Sequence, residues 1–190
     1  PFVWQPEFDK PSGSVSGLSN VELTAFYVPK STGFIWGFGP VVEFPVANET
    51  FGSKKLSVGP SLVFVKMGKK FVYGTVINNT WSVAGPSDVA DVSSFYSEVF
   101  VNYNLANGLY VNSAPIFTAN WEAEEGQKWI VPVGAGIGKI VKIGGKLPLN
   151  LYAGYYYNVV KPDFGPESQL RFQATVMLPT SILKETPKNN

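Results

Sequence analysis

Apolar and polar residues alternate with a period of two along most of this chain, and a helical period is almost absent. In 33–46, "GFIWGFGPVVEFPV", one parity carries Phe34, Trp36, Phe38, Pro40, Val42 and Phe44, and the other carries Gly37, Gly39 and Glu43. In 93–105, Phe95, Val99, Val101, Tyr103 and Leu105 alternate with Tyr96, Glu98, Asn102 and Asn104. In 147–159, Leu147, Leu149, Leu151, Tyr155, Tyr157 and Val159 alternate with Asn150, Tyr152, Gly154 and Asn158. In 168–178, Leu170, Phe172, Ala174, Val176 and Leu178 alternate with Gln169, Arg171, Gln173 and Thr175. The pattern predicts about nine strands: 18–29, 33–46, 55–67, 71–83, 93–105, 109–121, 128–141, 147–159 and 168–179.

Strands of about 11–14 residues are long for a globular sheet, where about 5–6 is usual. A tilted strand needs about 9–11 residues to cross a bilayer. The connections point the same way. Short turns ("PKSTG", "GKK", "ANG", "IGGK") alternate strictly with longer segments ("ANETFGSK", "AGPSDVADV", "EAEEGQ", "KPDFGPES"). An up-and-down meander with all its short turns at one end has this pattern, as outer-membrane barrels do. Aromatic residues gather at strand ends. Trp81, Trp121 and Trp129 mark the long-loop end, and Phe71, Tyr103 and Tyr110 the short-turn end, as two interfacial girdles would. Ordinary core aromatics at the ends of a soluble sandwich are the competing reading.

The expected fold is therefore an all-β, antiparallel, up-and-down transmembrane β-barrel, forming one domain over 1–179 with a polar tail at 180–190. Phe34, Trp36, Phe38, Leu149, Leu151, Leu170 and Phe172 are expected to face lipid, Leu151 near mid-membrane. Glu43, Glu98, Asn102, Asn150, Arg171 and Gln173 are expected to face the lumen. Their charges either solvate and pair across a polar interior or form a selectivity constriction.

Composition removes many other functions. The chain has 190 residues, a net charge of +1 and 15% charged residues, so no basic surface points to nucleic acid. It contains neither Cys nor His. Disulfides, thiolate or imidazole metal sites, and Ser-His or Cys-His hydrolysis are excluded, which leaves only carboxylate or Ser-Lys catalysis. No enzyme activity, metal or cofactor is expected. "NET" at 48–50 and "NNT" at 78–80 match a glycosylation triplet that a bacterial barrel would not use. "EAEE" at 122–125 reads as a solvated external loop without the ordered ligand spacing of a calcium loop.

The stretch "VPVGAGIGKIVKIGG" at 131–145 resembles part of a dinucleotide fingerprint. That motif needs a helix opening at its last glycine and a βαβ unit around it. Here "KIVKIGGKLPLN" follows, with a glycine turn and a proline. Gly134, Gly136 and Gly138 instead occupy one parity of a strand and keep that face bare. They make room inside a narrow barrel or permit sharp coiling, and Gly37 and Gly39 can do the same.

The segments "WGFGP", "YGTVINNTWSVAG", "NWEA" and "LRFQ", with the sequence around them, together resemble the outer-membrane proteins grouped with the meta-pathway of phenol degradation, often mislabelled neuromedin U in genomes. The resemblance runs over most of the chain. It implies a Gram-negative outer-membrane barrel with a suggested transport role, no assigned binding residues and no catalytic set. Members of that family carry a signal peptide and roughly three more strands ahead of the point where this sequence starts. Single-chain bacterial barrels also have even strand numbers. The nine strands are thus expected to be a fragment of a roughly 12-strand barrel, or one completed by another chain. "PFVWQ" at 1–5 is read as the tail of a preceding strand. Outer-membrane lipids are the expected partners, with assembly alongside other chains open. Three functions remain: passage or binding of small solutes, hydrophobic or aromatic ones among them; a structural role in a surface assembly; and a soluble barrel holding an apolar ligand.

Overall fold

The computed structural model of the chain describes residues 2–5, 15–47, 52–144 and 147–177. The expected tail at 180–190 and the triplet at 48–50 lie outside the described residues. The strands are β1 (Phe2–Gln5), β2 (Val15–Leu18), β3 (Val21–Thr24), β4 (Ile35–Phe44), β5 (Leu56–Met67), β6 (Phe71–Ala84), β7 (Ser93–Asn104), β8 (Leu109–Ser113), β9 (Ile116–Asn120), β10 (Trp129–Ile143), β11 (Leu147–Val160) and β12 (Ser168–Val176). Among the described residues β1 and β2 pair only with each other, Phe2 opposite Leu18. Residues 2–5, expected as the tail of a barrel strand, are thus one arm of a separate hairpin.

The other strands form one antiparallel sheet in the order β12-β11-β10-β8-β7-β6-β5-β4-β3, with β9 also between β10 and β7. Neighbours in sequence are neighbours in space, so the sheet is a meander. It curls in a barrel-like manner: Arg171 on β12 reaches the carbonyl of Ala114, at the end of β8, and Asn78 on β6 reaches Glu22 on β3. Each contact passes over two intervening strands. Among the described residues β3 and β12 are the two edges of the ladder.

Prolines explain why two expected strands are broken. The expected strand 109–121 appears as β8 and β9, separated by Ala114 and Pro115. Both pieces keep one register against β7, Val101 opposite Ser113 and Ser94 opposite Asn120. It is one strand whose ladder lapses where Pro115 has no N–H to donate, although its carbonyl still accepts from Val99. Likewise 18–29 is seen as β3 plus a bridge of Tyr27 to Phe38. The gap lies opposite Pro40, which accepts from Ala25 but cannot donate in return.

The turns follow their sequence. Between β7 and β8, Asn107 (φ 56°) and Gly108 (φ 72°) both adopt the left-handed conformation of a tight hairpin. The connections between β4 and β5, β6 and β7, β9 and β10, and β11 and β12 all lie at the other end of the meander; at the first end β5–β6, β7–β8 and β10–β11 are tight turns, whereas β3 and β4 are joined over 25–34.

Burial runs opposite to that of a water-soluble domain. Among the described residues the buried apolar side chains include Val41, Ala114, Ala119, Pro132, Tyr152 and Tyr156, whereas Ser57 (0% exposed), Ser61 (1%), Asn78, Thr80, Ser97 and Asn158 are all buried. The large apolar residues line the outward face: Leu170 is 70% exposed and Phe172 74%.

The glycine parity lies on the concave face, but the room it creates is filled. A side chain at Gly136 would run into the Ala153 carbonyl, the Tyr152 hydroxyl and the Gly154 backbone, and one at Gly138 into the ring of Tyr110. At Gly39 and Gly59 it would strike the carbonyls of Ala25 and Asn79, so those two glycines permit close strand approach. Gly136→Val should therefore cost about 1–3 kcal/mol by overpacking. Ala135→Val on the outward face should stay within about 0.5 kcal/mol. Urea unfolding of the two variants beside the parent checks this, and equal losses would contradict it.

Candidate functional site on the concave face

Cross-strand pairing fixes which side chains meet inside. Residues directly opposite on neighbouring strands share a face. Glu22 opposes Glu43, Val76 opposes Glu98, Val72 opposes Asn102, and Asn102 opposes Asn112. Gly138 opposes both Tyr110 and Tyr152, Tyr152 opposes Gln173, and Gly154 opposes Arg171. These ladders put Glu43, Glu98, Asn102, Asn150, Arg171, Gln173, Gly134, Gly136 and Gly138 on the concave face.

A connected layer crosses the middle of that face between β8 and β12. Tyr156 is completely buried. Its hydroxyl is 2.8 Å from that of Tyr152 and accepts the Ala114 N–H at 3.1 Å. The Arg171 guanidinium donates to the Ala114 carbonyl at 3.0 Å and lies 4.6 Å from the centre of the Tyr156 ring. Ala114 thus gives both its backbone hydrogen bonds to inward side chains, at the place where Pro115 breaks the ladder. A local defect of the sheet is used to tie three strands together.

Two chambers flank this layer. Toward the long loops, a cavity of about 410 Å³ is lined by Glu22, Glu43, Asn78, Thr80, Tyr96 and Asn120, among others. Its carboxylates are held by amides: Asn20 donates to Glu43 at 2.7 Å and Asn78 to Glu22 at 3.4 Å. Toward the short turns, a cavity of about 370 Å³ collects Glu98, Asn102, Asn112, Asn150, Arg171 and Gln173, among others. Tyr110 and Tyr152 form part of its wall, stacked at 5° with centroids 6.4 Å apart, and Tyr110 donates to Asn150 at 2.8 Å. Glu98 accepts from the Tyr96 hydroxyl at 3.3 Å.

The outward face carries the aromatic positions. Trp121 and Trp129 meet edge to face at 5.3 Å, Phe95 lies 5.6 Å from Trp129, and Trp81 is half exposed at the same end. Trp121 donates to Asn79 at 2.7 Å. Near the short turns the Tyr103 ring lies 4.7 Å from that of Phe71. Tyr110, expected in the second girdle, instead faces inward, because it shares the parity of Asn112. The outward wall also has apolar grooves, one of about 550 Å³ with Leu109, Ile137, Leu151 and Phe172 in its lining. Lys139 stands on this wall directly opposite Leu151.

Tyr156, Glu22 and Asn112 were not singled out by sequence reasoning, Tyr152 appeared there only as a member of the polar parity, and Tyr110 only as a girdle position. Parity alone would have found the two tyrosines of β11, since they share the phase of Asn150, Gly154 and Asn158. The run Tyr155-Tyr156-Tyr157 conceals this, because residue type does not change when the face does.

At the long-loop end, the nearly buried Lys55 ammonium lies 3.1 Å from the Asp91 carboxylate. Ser82 also donates to Asp91 at 3.1 Å, and the Val92 N–H donates to Ser82. These contacts clip the 85–92 loop to the β4–β5 connection. No helix among the described residues is long and apolar enough to cross a membrane, which says nothing about crossing by strands. Comparison with models of protein families, with curated proteins and with solved structures finds no match.

The Lys55 hydrogen bond, then that of Ser82, then the Lys55 charge hold Asp91 below the ordinary aspartate value of 3.8. A depressed folded value means that the clip contributes fully above the unfolded pKa and is lost as pH falls through the folded one. The Val92 amide should thus keep its hydrogen-exchange protection, corrected for intrinsic rates, from neutral pH down to about 4 and lose it in stronger acid. Asp91→Asn should weaken the protection already at pH 7. Protection unchanged by the substitution would contradict the clip.

Proposed function

We propose that this chain is a bacterial outer-membrane β-barrel protein, of the kind grouped with the meta-pathway of phenol degradation, that binds or passes small solutes along its polar concave face and catalyses no reaction. The inverted burial carries this reading. Water does not favour a wall of exposed Leu170, Phe172, Ile137 and Tyr155 around an interior of buried Ser57, Ser61 and Asn78. A hydrocarbon surround favours that arrangement, because the apolar residues then meet lipid and the polar ones meet each other. The aromatic cluster of Phe95, Trp121 and Trp129 at one end suits a membrane–water interface.

The same inversion weighs against a soluble barrel with an apolar ligand, which needs its greasy face inside. A structural role without transport is favoured by one observation, the layer of Tyr156, Arg171 and Ala114 across the middle of the concave face. Conductance in planar bilayers separates the two: steps that grow when Arg171 or Tyr156 is shortened support a gated passage, and a silent bilayer supports the structural role. Sidedness follows from turn length. Short turns are periplasmic in this class and the longer loops external, so β12 runs toward the periplasm.

Ile137 is the mid-wall position, opposite Ala153 and away from the level of Lys139. Ile137→Arg should cost about 2–4 kcal/mol of stability in a lipid bilayer, and Leu151→Arg less because it lies nearer the boundary. Gln173→Arg, facing inward, should cost least. Refolding titrations into phospholipid vesicles measure all three. Equal losses at Ile137 and Gln173 would remove the lipid-facing wall.

A further inference from the structure

We infer that the chamber near the short turns is a binding site for a neutral, polyhydroxylated solute of sugar type, an inference that rests on the solute-binding reading above. Four strands bring the carboxamides of Asn102, Asn104, Asn112, Asn150 and Gln173 into one cavity of about 370 Å³, a volume in the range of ordinary ligand sites. Each carboxamide both donates and accepts, as does each hydroxyl of a sugar.

The amides only partly satisfy one another. Asn102 donates to Asn104 at 2.6 Å, Asn150 accepts from Tyr110 through Oδ1, and Asn112 donates weakly to the Val101 carbonyl at 3.4 Å. This leaves Oδ1 of Asn102 and Asn112 as acceptors, Nδ2 of Asn104 and Asn150 as donors, and the whole Gln173 amide without a side-chain bond among the described residues. Donors and acceptors are mixed around one space, which suits a ligand carrying both on every arm.

The charged groups fit the same ligand. Arg171 is engaged by a carbonyl and an aromatic face, and Glu98 by a phenol, so no net charge of one sign dominates the chamber. An anion would meet Glu98, and a cation Arg171. A neutral polyol can use both as strong hydrogen-bonding partners. The stacked Tyr110 and Tyr152 rings, the first seated over the bare Gly138 and the second over Gly154, supply a flat apolar wall for the C–H face of a pyranose ring.

The test uses the whole chain folded in detergent, titrated calorimetrically with maltose, alanine and sodium benzoate as neutral, zwitterionic and anionic probes. Maltose should bind saturably, and Asn112→Leu and Gln173→Leu should each weaken it about tenfold by leaving a sugar hydroxyl unpartnered. Gln173 is exposed at the edge strand, so its variant should retain the parent's circular dichroism even if the Asn112 variant does not fold. Binding of benzoate or alanine without maltose would overturn the inference, and so would maltose binding indifferent to Gln173→Leu. Failure of every probe, in protein that still inserts into vesicles, would also overturn it while leaving the membrane reading intact. Maltose binding by protein that does not insert would support the site and sink the membrane reading.

Discussion

Successive side chains of a β-strand point to opposite faces, and the rest of this structure depends on that constraint. Because the alternation is kept through long, regularly paired strands, every residue of one parity shares one environment. The apolar parity forms most of the outer wall, interrupted by Lys139 and Asn79. The polar parity is left to satisfy itself in a confined space. A one-residue slip would exchange the two sets, so the register is defined by the sequence on both sides at once.

Within the polar interior, glycine and tyrosine act as a pair. Gly134, Gly136, Gly138 and Gly154 remove side chains where the curled strands come closest. The rings of Tyr110, Tyr152 and Tyr156 occupy the space that is freed. Their hydroxyls then reach partners a smaller residue could not: Asn150, the Ala114 N–H and each other. The Ala114–Pro115 break completes the arrangement, since a backbone amide released from the ladder is available to Tyr156. Curvature, occlusion and the division into two chambers thus share one cause.

Much of this was legible in the sequence. Parity identified the strands from β4 to β12 and the faces of Glu98, Asn102, Arg171 and Gln173, because period-two patterning is a local property of the chain. The alternation of short and longer connections gave the meander. What parity could not give was cross-sheet contact. That Arg171 lies over Tyr156 and bonds to Ala114 depends on how tightly the sheet curls, a property of many strands together. The ladder gaps at Pro40 and Pro115 were foreseeable from the missing N–H, but hydrophobic alternation passes through them and conceals them. The separate β1–β2 hairpin has too little pattern to be read from its residues.

The central claim is that the outward wall meets hydrocarbon and the concave face does not. Fluorescence quenching by brominated phospholipids tests it directly with two single-tryptophan chains. One retains only Trp129 on the outer wall, and the other carries only a tryptophan introduced by Gln173→Trp on the inner face. In vesicles, brominated lipid should quench the first strongly and the second little, while aqueous acrylamide should do the reverse. Quenching of Trp129 by acrylamide but not by brominated lipid would contradict the account.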